Sequence, residues 1–171
     1  MTRPRARTAL KRALNNDSSL HQAVRDGLSA VKTSHRAYFD KVIRSTFGDS
    51  LDLDEAMRVG HEQENRWDYL LSHVPSDEVV AVEPHSAKQD EISTIIKKLS
   101  AAREHLKPHL RTGGRVSRWL WVASGDVQFA NTEKATLRLA QSGIQFVGRI
   151  VRAKHLGEDV KTAAPAPRRR R

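Results

Sequence analysis

Cysteine is absent from all 171 residues, which excludes disulfides, thiolate zinc sites, iron–sulfur clusters and cysteine nucleophiles together. No stretch reaches the roughly 18 consecutive apolar residues of a membrane span, and no apolar run follows the basic start, so neither a span nor a secretory signal is expected. The nucleotide and hydrolase fingerprints are missing as well: there is no Gly-x-x-x-x-Gly-Lys-Ser/Thr loop, no Gly-x-Gly-x-x-Gly turn and no Gly-x-Ser-x-Gly elbow. His61-Glu62-Gln63-Glu64-Asn65 begins like a zinc-protease helix but has Asn65 where that motif needs its second histidine. The acidic run from Asp49 to Glu55 lacks the glycine and glutamate spacing of a calcium loop and fits better as the cap of a short helix. What remains is the composition of one globular core, 38% hydrophobic and 29% charged, expected in the cytoplasm.

Acid is also missing from both ends, and this decides where the net charge of +10 resides. Residues 1–14 contain Arg3, Arg5, Arg7, Lys11 and Arg12, residues 161–171 contain Lys161 and Arg168, Arg169, Arg170 and Arg171, and the segment between is formally neutral. Basic arms of this kind attract phosphate backbones, because neutralising phosphates releases condensed counterions. DNA or RNA is therefore the expected partner, with a solubilising tail or an organelle-targeting start as the other readings of the same charge. Both arms are expected to be dispensable for folding, so that deletion of residues 1–12 and 168–171 weakens binding without moving the melting transition.

Between the arms the pattern divides in two. Over residues 17–47, Leu20, Val24, Leu28, Val31, Tyr38, Val42 and Ile43 recur mostly at steps of three and four, which predicts one long helix or two, stopping at Gly48. The apolar stripe of such a helix would suit a partner helix, a protein-interaction reading. Residues 67–74 and 78–85 read as a β-hairpin turning at Pro75-Ser76. An amphipathic helix follows over 90–107, with Ile92, Ile95, Leu99 and Leu106 inward and Lys97 and Lys98 outward as a phosphate track or a solvated face. Gly113-Gly114 turns into a strand over 116–123 whose Trp119 and Trp121 share one face, suited to core packing or to base stacking. A helix from Asn131 to about Gln141 and a strand over 144–151 complete a parallel crossover unit. The other histidines, including His105 and His109, read as scattered surface or core residues. The organisation expected is a basic arm over 1–16, a helical segment over 17–59, an α/β core with a mixed sheet over 60–156, and a disordered basic tail over 157–171.

Register gives the hairpin its interest. If Val74 faces Asp77, then Asp68 lies opposite Glu83, where Cβ atoms stand roughly 4.5–5.5 Å apart and like charges destabilise a sheet. A hard divalent cation, which takes oxygen ligands, offsets that repulsion. A bland alternative is an Asp68 satisfied by Arg66 or a neighbouring lysine.

The order of these residues resembles the PD-(D/E)XK nuclease superfamily, the restriction-endonuclease-like fold, over roughly residues 62–151. Asp68 resembles that family's strand aspartate, Glu83 the glutamate of its Glu-x-Lys signature, and Glu62 or Glu64 the glutamate sometimes supplied by a first helix. The resemblance implies a hairpin-helix-strand-helix-strand core behind N-terminal helices, a Mg2+ or Mn2+ cofactor held by Asp68, Glu83 and Glu64, and hydrolysis of DNA or RNA. His85 stands at the signature's lysine position, with Pro84 before it, so the lysine role falls to His85 or to Lys88. Where neither fills it, the same fold would bind nucleic acid without cutting.

Overall fold

The computed structural model describes residues 5–88, 90–128 and 133–162. It is an α+β fold on one six-stranded mixed sheet in sequential order: β1 (Arg25–Asp26), β2 (Phe47–Asp52), β3 (Tyr69–His73), β4 (Glu78–Ala87), β5 (Arg118–Val127) and β6 (Ile144–Phe146). The first four strands pair antiparallel, and β4, β5 and β6 run parallel. Parallel neighbours need a crossover, which α3 (Glu91–Leu106) supplies between β4 and β5, and α4 (Glu133–Ser142) between β5 and β6. Gly143, at φ +82°, takes the left-handed conformation that ends α4 after Ser142.

Period-two alternation sends the two faces of the sheet into different cores. Leu70, Val79, Ala81, Trp119 and Trp121 pack with Ile92, Ile95, Leu99, Ala102 and Leu106 of α3. Leu71, Val80, Val82, Leu120 and Val122 pack on the opposite face with Val31, Phe39, Ile43 and Val151. Both tryptophans are buried, so the packing role is the one they take: Trp119 meets Trp67 edge-on, at 5.1 Å between centroids. No helix among the described residues is long and apolar enough to cross a membrane.

The N-terminal third departs from the helices expected over 17–59. Ser19–Ala23, Thr33–Tyr38 and Lys41–Thr46 are separate 3-10 turns, and β1 and β2 add strands to the sheet. Apolar steps of three and four suit a 3-10 turn as well as an α-helix. Here polar side chains cut the run into pieces: Ser18 caps Leu20 N–H at 3.2 Å and Asp40 caps Val42 N–H at 3.3 Å. Gly27, at φ +53°, turns the chain between them, and Gly48, read as a helix stop, lies inside β2 beside a bulge. Much of the stripe suited to a partner helix is used internally, since Leu20, Val31 and Ile43 are buried, while Val42 is 75% exposed. The acidic run does cap a helix, α2 (Leu53–Ala56), through Asp52 Oδ1 accepting from Glu55 N–H at 2.9 Å.

The arms are also shorter than the charge suggests. Thr8 caps α1 (Ala9–Ala13), whose Ala9, Leu10 and Ala13 are buried, and Leu10 N–H donates to Ser72 Oγ at 2.9 Å. At the other end β6 stops at Phe146, Gly148 turns at φ +76°, and Val151 bridges to Phe39 on the far face. Residues 157–162 do not trail free, because Val160 N–H donates to Pro75 O at 2.9 Å. Arg3 and Arg168 to Arg171 lie outside the described residues.

Removing residues 1–12 therefore takes away core as well as charge. Leu10→Ala is expected to cost about 2–5 kcal/mol, the usual range for a leucine with no exposed surface. Urea denaturation measures it, and a loss under ~0.5 kcal/mol would show that α1 contributes no packing.

Candidate active site

The hairpin forms in the register read from its turn. Tyr69 pairs with Val82, Leu70 with Ala81 and His73 with Glu78, and Asp77 accommodates the turn at φ +53°, a region aspartate tolerates. One step further, Asp68 N–H donates to Glu83 Oε2 at 2.8 Å. The Asp68 backbone thus meets the Glu83 carboxylate where β3 begins. Beyond Val82 the last five residues of β4 have no β3 partner and pair with β5 alone. Pro84 falls in this one-sided stretch, where its missing N–H takes no bond from a β3 ladder.

Glu83 follows Val79 and Ala81 on the face covered by α3, and its side chain has 0% exposure. Across from it, Lys98 Nζ on α3 donates to Glu83 Oε1 with only 14% of the lysine side chain exposed. Lys98, read from sequence as one of two outward-facing lysines, is turned onto the sheet, and only its neighbour Lys97 is exposed. The reason is helical geometry: Ile95, Leu99 and Ala102 fix the buried stripe, and Lys98 lies one turn beyond Ile95 at its margin.

His85 is the third group at the pair. Its Nδ1 is 3.7 Å from Glu83 Oε1, and its Nε2 meets Glu91 Oε2, at the start of α3, at 2.8 Å. Lys88 is exposed; its backbone oxygen accepts from Glu91 N–H at 3.1 Å, and its ammonium makes no hydrogen bond or ion pair with the described residues. Glu62 and Glu64 are not part of this cluster. Glu62 accepts from Gly60 N–H at 3.1 Å, while Glu64 Oε2 receives His61 Nδ1 at 2.9 Å and His105 Nε2 at 2.5 Å. The helix that would aim a glutamate at the pair ends at Ala56, and turns follow it instead. Arg5 and Arg7 are exposed, the latter reaching Asn16 Oδ1 at 3.3 Å.

The electrostatics separate the two carboxylates. Burial, reinforced by the neighbouring Asp68 charge, pushes Glu83 up to about 8 against the pull of Lys98. Burial also raises Asp68, and Lys98 opposes it. The Asp68 carboxylate forms no hydrogen bond or ion pair with the described residues. Arg66, its bland partner in the sequence, goes instead to Asp54 Oδ1 at 2.9 Å. An oxygen donor without a partner, beside a buried glutamate, suits a hard cation.

Lys98 is the residue sequence reasoning misassigned. The only available signal was its place three residues after Ile95 on an amphipathic helix, which any lysine bordering an apolar stripe shares. No protein-family model matches this chain, and no curated protein or solved structure is significantly similar to it.

A carboxyl whose folded pKa stands above the unfolded one holds its proton more tightly when folded. Its contribution to stability is complete below the ordinary value of 4.5 and is lost as pH rises through about 8. Metal-free protein is expected to lose stability over that window, and Glu83→Gln, which keeps an acceptor for Asp68 N–H, is expected to flatten the profile. Urea melts across a pH series measure both, and parallel profiles would contradict a raised Glu83.

Proposed function

We propose that this protein is a metal-dependent nuclease or nuclease-like phosphodiesterase acting on DNA or RNA, with a restriction-endonuclease-like core. The observation that carries this reading is the convergence of Lys98 on a buried glutamate whose neighbour, Asp68, has an unpartnered carboxylate. Asp68 and Glu83 are the residues that would hold Mg2+ or Mn2+ through oxygen. When bound, such a cation supplies Lewis-acid neutralisation of charge on a phosphoryl oxygen.

The chain's own groups account for the rest of the chemistry. Hydrolysis adds water across a P–O bond, so negative charge grows on the phosphoryl oxygens while the attacking water loses a proton and the leaving oxygen gains one. Lys98 is the cation placed to stabilise that developing charge, which assigns to α3 the role that the Glu-x-Lys signature gives to the position of His85. His85, bridging Glu91 and Glu83, is the proton carrier nearest the pair. Lys97 and the exposed Arg5 and Arg7 would contact phosphates, positioning the substrate without reading its sequence.

Cleavage of a DNA and RNA panel with Mg2+ or Mn2+ tests the assignment. Asp68→Asn and Glu83→Gln are expected to abolish it. Lys98→Met is expected to lower kcat by at least ~100-fold with little change in KM, as for a group acting on transition-state charge. Lys88→Ala should behave like the wild type. Circular dichroism must show each variant folded, because breaking a buried ion pair costs about 3–5 kcal/mol. Binding without cleavage on any substrate would overturn the enzyme and leave a nucleic-acid-binding protein.

The arms are tested separately by deleting residues 1–6 and 163–171, which spares the Thr8 cap and the 157–162 segment. Affinity for DNA or RNA should fall, and the slope of log affinity against log salt should flatten, with the melting temperature unchanged. An unaltered slope would remove the arms from the electrostatic footprint.

A further inference from the structure

Of the eight histidines, His85 belongs to the Glu83 cluster, and five of the others behave alike. His21, His35, His73, His109 and His155 each pair with a backbone group or a hydroxyl: Asn15 O at 2.9 Å, Tyr69 OH at 2.6 Å, Ser76 Oγ at 2.6 Å, Ser18 Oγ at 2.8 Å and Arg152 N at 2.9 Å. His61 and His105 instead converge on one oxygen of Glu64, from parts of the chain 44 residues apart, with ring centroids 4.3 Å from each other. Their facing nitrogens and the Glu64 oxygen all lie within 4.8 Å of one another.

We propose that His61, Glu64 and His105 form a binding site for a first-row transition cation of the Zn2+ class, distinct from the Asp68 and Glu83 pair. The donor set is two imidazole nitrogens and one carboxylate oxygen, the kind of three-ligand set that leaves a zinc position open to water. Zinc bonds of about 2.0–2.2 Å put tetrahedral ligands roughly 3.5 Å apart, so the three side chains need only small rotations to surround an ion. Mg2+, which prefers oxygen, has little use for two imidazoles, whereas Asp68 and Glu83 offer oxygen alone.

The surrounding structure holds the donors without using them. His105 sits on the last turn of α3 with 9% of its side chain exposed, which limits its freedom. His61 is presented by the turn after α2, and that turn is tied down by Arg66, whose guanidinium donates to His61 O at 2.6 Å and to Asp54 Oδ1 at 2.9 Å. Glu64, half exposed at 50%, opens the cluster to solvent and gives an ion and its water a route in. Lys98 and His105 are two helical turns apart on α3, so one helix serves both sites at a separation of roughly 10 Å along its axis. Bound metal would clip the 57–66 turns, which lead into Asp68, onto that helix.

Untagged protein stripped with chelator and titrated with Co2+ tests the site. Wild type is expected to bind one equivalent with the intense visible absorption of a low-coordinate cobalt centre, and Zn2+ should displace it. His61→Ala and His105→Ala should each weaken binding by more than about tenfold, since loss of a direct ligand costs at least as much as loss of an outer-shell partner. Glu64→Gln keeps an acceptor for both histidines, so its metal-free melting temperature should match wild type while the cobalt spectrum is lost or altered. Asp68→Asn with Glu83→Gln should leave the spectrum intact, whether or not those residues support cleavage. The proposal is overturned if wild type gives no such spectrum, if the spectrum survives His105→Ala, or if it disappears with the Asp68 and Glu83 substitutions.

Discussion

A carboxylate with no exposed surface has to be neutralised or paired where it sits, because water no longer solvates its charge. Glu83 is in that position, and much of the architecture around it follows. Its Oε2 accepts Asp68 N–H, so the first residue past the β3 ladder is tied to β4. Its Oε1 accepts Lys98 from across the layer, at the margin of the stripe that Ile95 and Leu99 bury against the sheet. Apolar packing positions α3 against the strands, and that placement brings Lys98 onto Glu83.

The sheet is asymmetric at this point. β4 outlasts β3, so its last residues have a strand on one side only, and α3 leaves directly from that end. α-Helices and the Ser19–Ala23 turn cover one face, while the Thr33–Tyr38 and Lys41–Thr46 turns and the segment around Val151 cover the other. Glu83 and Lys98 meet on the α3 face, where period-two alternation of β4 delivers Glu83 after Val79 and Ala81.

α3 is the connecting element of the molecule. Its first turn holds Glu91 against His85, its middle supplies Lys98, and its last turn supplies His105. Three polar contacts on one helix otherwise defined by its apolar stripe give it a double role, as a wall of the core and as the support for side chains of opposite character. The 57–66 turns face the far end of the same helix, which explains why Glu64 meets histidines there and does not reach Asp68.

Strand alternation, turn chemistry and helix caps are local, and the sequence by itself determined what depends on them. The hairpin register with Asp68 beside Glu83, the buried stripe of α3, the Gly143 stop and a helix cap from the acidic run at 49–55 were all legible from neighbouring residues. The helices expected between residues 17 and 47 were not, because steps of three and four describe an α-helix and a chain of 3-10 turns equally well, and only the packing of Leu20, Val31 and Ile43 on opposite faces of a sheet distinguishes them. Only the tertiary structure decided that Lys98, and neither Lys88 nor the His85 position alone, meets Glu83, and that His61 and His105 share Glu64. Those pairings depend on which surfaces come together across 15 to 44 residues of chain, and the desolvation that makes them necessary exists only once the core has closed.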